Sequence, residues 1–198
     1  MNICVFGSSS ERINEEYLNS AEHLGKTIAQ NGDTVVYGAG KYGVMGAVAR
    51  GVTAEKGMLI GVTPLFFVDM DVVYDKCTQL IHTETMRERK SIMEDKADAF
   101  VICAGGMGTF EEFFEVLTLK QLRRHTKPII IYNVNDYYNS MLKMMQNAVD
   151  ENFMSDDCNR LYSVAQTEEE VFEQIKSYVP FSYNKYNFVD WSTEENND

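Results

Sequence analysis

No two of the four cysteines in this 198-residue chain form a C-x-x-C pair, and only three histidines stand beside them. Cys4, Cys77, Cys103 and Cys158 are widely scattered, as are His23, His82 and His125, so no metal-ligand spacing arises. Reduced, mostly buried thiols are the expected state, and neither a metal nor an organic cofactor is implied. Long apolar runs are missing too. None approaches the roughly 18 residues of a membrane span, and Met1-Asn-Ile-Cys-Val5 reads as a strand rather than a secretion signal. The expectation is a cytoplasmic protein with no membrane partner. Basic residues are outnumbered, 18 Lys and Arg against 30 Asp and Glu, for a formal charge of −12. That balance argues against nucleic acid as a partner, because nucleic-acid phosphates are bound by clusters of Lys and Arg. A small anion can still be held by local donors. Internal repeats and low-complexity segments are also lacking.

What is present is an alternation. Strands are expected at 2–7, 34–37, 58–62, 78–81, 100–103, 128–132 and 161–164. Helical spacing of apolar residues falls between them, at 11–30, 44–55, 83–96, 110–117, 137–149 and 167–178. Strands and helices in this rhythm, joined by short loops, predict an α/β protein: a Rossmann-like, doubly wound parallel sheet in three layers, α/β/α. Residues 1–180 form one nucleotide-binding domain in this reading. Residues 181–198 form a tail, aromatic at first and then acidic, expected to dock on the body or on a partner subunit and to fray at its end. Pro64 to Lys76 is less regular; it either edges a pocket or packs as a plain loop.

The most informative stretch is Phe100 to Glu115. An apolar strand runs into Gly105, Gly106 and Gly108, and a helix follows with Phe110, Phe113, Phe114 and Leu117 at i, i+3, i+4, i+7. A strand, a glycine turn and a helix N-terminus in that order make an anion site, because free N–H groups and the positive end of the helix dipole meet there. Met107 lies within the turn, and Thr109 adds a hydroxyl. Glu112 lies on the side of the helix that carries the turn. It serves either chemistry or, like Glu111 and Glu115, the usual acidic complement to a helix start.

Two other segments reach the same rim, since ligands of such sheets sit outside the carboxyl ends of the strands. Ser8 follows the first strand. Gly38-Ala-Gly-Lys-Tyr-Gly43 fits G-x-G-x-x-G, but no acid stands about 20 residues on at a strand end to hold a ribose. Gly40 and its neighbours therefore read as one wall of a mononucleotide pocket. On the helix opening near Thr83, Met86, Arg89, Lys90 and Met93 share one face. Two cations there suit a phosphorylated substrate, and Met86 suits an aromatic base; a solvated face of salt bridges is the competing reading.

Arg89-Lys90 followed by Gly105-Gly106-Met107-Gly108-Thr109-Phe110-Glu111-Glu112 resembles the signature of the LONELY GUY (LOG) family, P-G-G-x-G-T-x-x-E preceded by M-x-E-R-K. These are cytokinin-activating phosphoribohydrolases, often mislabelled lysine decarboxylases. The likeness extends to Gly7-Ser8-Ser9 and to Tyr37-Gly-Ala-Gly40 with Gly43-Val-Met-Gly46, and covers about residues 1–180. Ala104 stands where the family has Pro, and Arg87 where many members have His. The resemblance implies hydrolysis of the N-glycosidic bond of a nucleoside 5′-monophosphate, without a cofactor, by a homodimer. It assigns Arg89 and Glu112 to catalysis. Ser8, Gly40, Met86, Lys90 and Gly105 to Thr109 then serve an AMP-like substrate. A nucleotide-binding sensor on the same fold, with no turnover, is the alternative.

Overall fold

The computed structural model describes residues 1–181; the aromatic and acidic tail beyond them lies outside the described residues. Seven strands form one parallel sheet: β1 (Asn2–Phe6), β2 (Thr34–Tyr37), β3 (Met58–Pro64), β4 (Gln79–Thr83), β5 (Ala99–Ile102), β6 (Ile129–Tyr132) and β7 (Ser163–Ala165). Their spatial order is β4-β3-β2-β1-β5-β6-β7, and every neighbouring pair is parallel. The chain winds outward from β1 to β4, then crosses to the other side of β1 and winds outward again. The switch point is the crevice between β1 and β5, where such sheets carry their ligands.

The helices follow the strands: α1 (Glu15–Gln30), α2 (Gly43–Ala54), the single turn α3 (Leu65–Val68), α4 (Met86–Lys96), α5 (Met107–Gln121), α6 (Asn139–Asp150) and α7 (Glu168–Lys176). Strand side chains alternate between two cores. Ile3, Val5, Val35 and Val101 pack with α1, α2 and α7. Cys4, Phe6, Val36 and Phe100 pack with α4, α5 and α6. Because β1, β5 and β6 are covered on both faces, they read as continuous apolar runs rather than alternating ones. Cys4, Cys103 and Cys158 are buried and Cys77 half-buried, and none of the four is in a disulfide among the described residues. No helix among the described residues is long and apolar enough to cross a membrane.

Element boundaries differ from the sequence expectation where caps decide them. The first helix begins at Glu15, not Glu11, because the Asn14 side chain accepts the Glu16 N–H at 3.0 Å. The fourth begins at Met86, with Thr85 accepting the Glu88 N–H at 3.1 Å. Thr167 caps α7 in the same way.

Candidate active site

The carboxyl ends of β1, β2, β3 and β5 bring four loops to one rim. After β5 comes the glycine turn. Gly106 stands at the N-cap of α5, and the first helical bond into the turn is Phe110 N–H to the Gly106 carbonyl, 2.9 Å. Among the described residues, no backbone N–H from Ala104 to Thr109 donates to a protein acceptor. These are the orphan donors of a helix start, extended backward through the turn. Gly105 leaves room for Thr109, whose hydroxyl would stand 2.1 Å from a Cβ there. At Gly106 and Gly108 an added Cβ would meet nothing within 4 Å, and neither has positive φ. No packing neighbour requires glycine at those two places; the space in front of them is open.

Glu112 lies one turn further along α5, on the buried stripe with Thr109, Phe113 and Val116. A carboxylate in that stripe needs a partner, and α4 supplies it. Arg89 and Met93 form the buried side of α4. Arg89 Nη1 donates to Glu112 Oε1 at 3.3 Å, and its Nε donates to the Val62 carbonyl, at the end of β3, at 3.0 Å. Both side chains are nearly inaccessible, Arg89 at 7% exposure and Glu112 at 11%. The competing expectation, a solvated face on which Arg87, Glu88 and Arg89 pair along the helix, is not what the structure has at Arg89. Glu88 instead accepts the Glu84 backbone N–H at 3.0 Å.

Burial pushes the Glu112 carboxyl up; Arg89 beside it pulls down, Glu111 adds a further push, and the net position is about 7. Arg89 opposes the desolvation without overcoming it. At neutral pH the group is poised between its two forms.

The guanidinium lies against Gly38, at the end of β2: a Cβ there would fall 1.6 Å from Nη2. On this side Arg89 lines a cavity of about 220 Å³ walled by Gly38, Ala39, Gly40, Tyr42, Met45 and Phe67, among others. The second glycine turn is thus one wall. The irregular 64–76 segment is another, and of its two readings the pocket edge is the one realised. It contributes Phe67, Met70, Val72 and Val73. It is tied to the glycine turn by Lys41 N–H to the Val72 carbonyl (2.9 Å) and Tyr74 N–H to the Ala39 carbonyl (2.8 Å). A Lys41–Asp71 ion pair of 2.8 Å joins them at the surface.

The remaining sequence candidates are dispersed around this centre. Ser8 donates its N–H to the Ala104 carbonyl at 3.1 Å, joining the β1 loop to the turn, while Ser9 rather than Ser8 lines the cavity. Met107 is 82% exposed at the mouth of the turn. Met86 is partly exposed at the start of α4 and lies outside the cavity wall. Lys90 turns to the other side of α4, paired with Glu111 and, at 2.7 Å, with Glu115. Sequence reading missed Val62 and Thr63, whose roles arise from the end of β3 and carry no local motif; Tyr42, Met45 and Val73 lie in segments read as a pocket wall or edge without being singled out.

A family model described as "Possible lysine decarboxylase" matches residues 45–175. The probable cytokinin riboside 5′-monophosphate phosphoribohydrolase LOGL3 of Oryza sativa subsp. japonica is 34% identical over 190 residues, 96% of this chain and 90% of that one. The cytokinin riboside 5′-monophosphate phosphoribohydrolase LOG2 of Arabidopsis thaliana is 34% identical over 178 residues, 90% of this chain and 84% of that one. The chain belongs to the LOG family. Among solved structures, the molybdenum cofactor binding protein of Rippkaea orientalis superposes with a TM-score of 0.66 at 26% identity, covering 89% of this chain and 94% of that one. The molybdenum cofactor carrier protein of Chlamydomonas reinhardtii, at 24% identity and TM-score 0.68 over 88% and 95% of the two chains, shares the fold. The family's sheet therefore also occurs in proteins described as carriers, and the fold alone does not separate reaction from binding.

Proposed function

We infer that this chain hydrolyses the N-glycosidic bond of a purine or cytokinin nucleoside 5′-monophosphate, releasing the free base and ribose 5-phosphate. The observation that carries the reading is the buried Arg89–Glu112 pair, set between an open anion seat and an apolar cavity. The N–H groups of residues 104–109 and the α5 dipole would take the 5′-phosphate, a non-reacting handle whose binding energy positions the sugar. The cavity is smaller than the roughly 300–1,000 Å³ of pockets that enclose a whole ligand. It suits a flat base, with ribose and phosphate at the mouth. Its apolar side, Met45, Phe67, Met70 and Val73, is compatible with adenine or with an isoprenylated adenine.

Bond breaking at C1′ builds positive charge on the ribose, and a carboxylate close by stabilises that charge or activates the attacking water. Glu112 takes this role. Arg89 orients it and offers cationic N–H groups toward the departing base. Decarboxylation of lysine fits poorly: it needs an uncharged amine to carry its cofactor. The rim lysines are held by carboxylates instead, Lys41 by Asp71 and Lys90 by Glu111 and Glu115, which raises the pKa of both. The homodimeric state belongs to the same reading and rests on the family alone.

The test is chromatography of reactions containing purified protein and AMP or isoprenylated AMP. Appearance of free base and ribose 5-phosphate supports the reading, and the ratio of rates gives the base preference. A binding-only module is the second reading, favoured by the carrier proteins of the same fold. It wins if neither nucleotide is cleaved while AMP still raises the melting temperature.

A pH dependence follows. The active form is the Glu112 carboxylate, and its protonated fraction grows below about pH 7. The expected kcat/KM therefore falls tenfold per unit below about 7 and is level above it. Phosphate monoesters titrate near pH 6, about one unit lower. A flat profile from pH 5.5 to 8 would remove Glu112 from this role.

A further inference from the structure

Three successive carbonyls of the glycine turn are each capped by a different donor. The Tyr138 hydroxyl donates to the Cys103 carbonyl at 2.7 Å, the Ser8 N–H to the Ala104 carbonyl at 3.1 Å, and the Tyr137 hydroxyl to the Gly105 carbonyl at 2.6 Å. In a trans peptide the carbonyl of one residue and the N–H of the next point opposite ways. Tyr138 and Tyr137 hold the Cys103 and Gly105 carbonyls from the β6 side of β5, which directs the N–H groups of Ala104 and Gly106 the other way, while Ser8 holds the intervening Ala104 carbonyl from the β1 side. Both of those N–H groups find no protein acceptor among the described residues. Ala104, Gly105 and Gly106 have almost no side chain with which to fix themselves, so their orientation has to come from outside.

The segment that supplies the two hydroxyls is built at some cost. Asn135 and Asp136 both take positive φ, 52° and 57°, a region that non-glycine residues seldom occupy. Buried Asn133 then fixes the segment: its Oδ1 accepts the Tyr138 N–H at 2.7 Å, and its own N–H reaches the Ala165 carbonyl of β7 at 2.8 Å. Tyr138 is fully buried against Phe110 of α5, whereas Tyr137 is 40% exposed. Burial raises the pKa of the Tyr138 hydroxyl well above its ordinary value, so it stays a donor.

We propose that Tyr137 and Tyr138 are positioning residues for the substrate phosphate: from the β6–α6 loop, their hydroxyls hold the Cys103 and Gly105 carbonyls so that the turn presents its N–H groups to the anion. The proposal rests on the phosphate seat inferred above. Neither ring need touch the nucleotide. A phosphate handle bound equally in ground and transition states changes KM and leaves kcat.

The experiment compares wild type with Tyr137→Phe, Tyr138→Phe and the double variant. It measures AMP binding by calorimetry, adenosine binding as the control without phosphate, and turnover of AMP. Each lost hydroxyl is expected to weaken AMP binding and raise KM about three- to tenfold, with kcat within about threefold and adenosine affinity unchanged. Equal weakening of AMP and adenosine overturns the proposal, because a general structural role would move both. So does an unchanged AMP affinity in the double variant, or a fall in kcat at constant KM. Wild type that binds no AMP overturns it as well. If wild type binds AMP but does not cleave it, the hydrolase reading falls alone, and the positioning role is decided by the dissociation constants. Should the double variant fail to fold, Tyr137→Phe carries the test, since that ring is partly exposed.

Discussion

Replacing Glu112 by Gln is expected to lower kcat for nucleotide hydrolysis by about a thousandfold or more, with AMP affinity retained within a few fold. The side chain is the only carboxylate in hydrogen-bond contact with Arg89 among the described residues, and the substitution is nearly isosteric. Gln keeps an Oε1 that can accept from Arg89 Nη1, and the Arg89–Val62 bond is untouched, so the architecture survives while the charge is lost. Stability provides an independent check. The folded-state pKa of Glu112 lies above its ordinary 4.5, at about 7, chiefly through burial. Its favourable contribution is therefore fully present below pH 4.5 and is lost as pH rises through 7. At pH 8 the buried charge costs stability, and Gln removes that cost. The variant's melting temperature at pH 8 is expected to equal or exceed the wild-type value by about 2–4 °C per kcal/mol recovered, with no gain at pH 4. Retained turnover, or a variant melting well below wild type at pH 8, would contradict the roles given to this pair.

That pair also marks how far the sequence carried the structure. The strand–glycine–helix unit around Gly105 to Thr109 is legible because its signals are local: an apolar run, three small residues, then a 3.6-residue period. Alternation along the chain gives the parallel sheet for the same reason. On α4 the four residues Met86, Arg89, Lys90 and Met93 look equivalent in spacing, yet the fold sends them to different environments. Met93 enters the core, Arg89 the site, Lys90 the acidic side of α5, and Met86 the surface. A face about 100° wide does not say which neighbour each edge meets. The balance on Glu112 was hidden too, since desolvation depends on what covers a group and not on its sequence neighbours. Tyr137 and Tyr138 were harder still. Their partners lie 32 and 35 residues away, and adjacent tyrosines after a strand carry no signature of a carbonyl clamp.

Gly38→Ala is expected to damage the site through Arg89. The added Cβ would lie 1.6 Å from Arg89 Nη2 and 2.8 Å from Cζ, so the guanidinium has to leave. Backbone preference is not the cause, because Gly38 does not have positive φ; the exclusion is steric. Moving Arg89 lengthens both its bond to Val62 and its contact with Glu112, stranding a buried carboxylate, and breaking a buried pair in this way costs about 3–5 kcal/mol. For a chain of this size that corresponds to a fall in melting temperature of roughly 6–20 °C. The catalytic loss is expected at about a hundredfold in kcat/KM, the usual scale for a displaced catalytic group. Gly40→Ala is the steric comparison. Its Cβ would meet the flexible end of Met45, at 2.6 Å from Cε, which can swing aside. Thermal melts of the two variants should therefore separate by several degrees, with Gly40→Ala within about 2 °C of wild type. If Gly38→Ala melts like wild type and keeps its kcat/KM, the guanidinium has another acceptable position, and the geometry that joins the cavity to Glu112 through Arg89 is not what the reaction depends on.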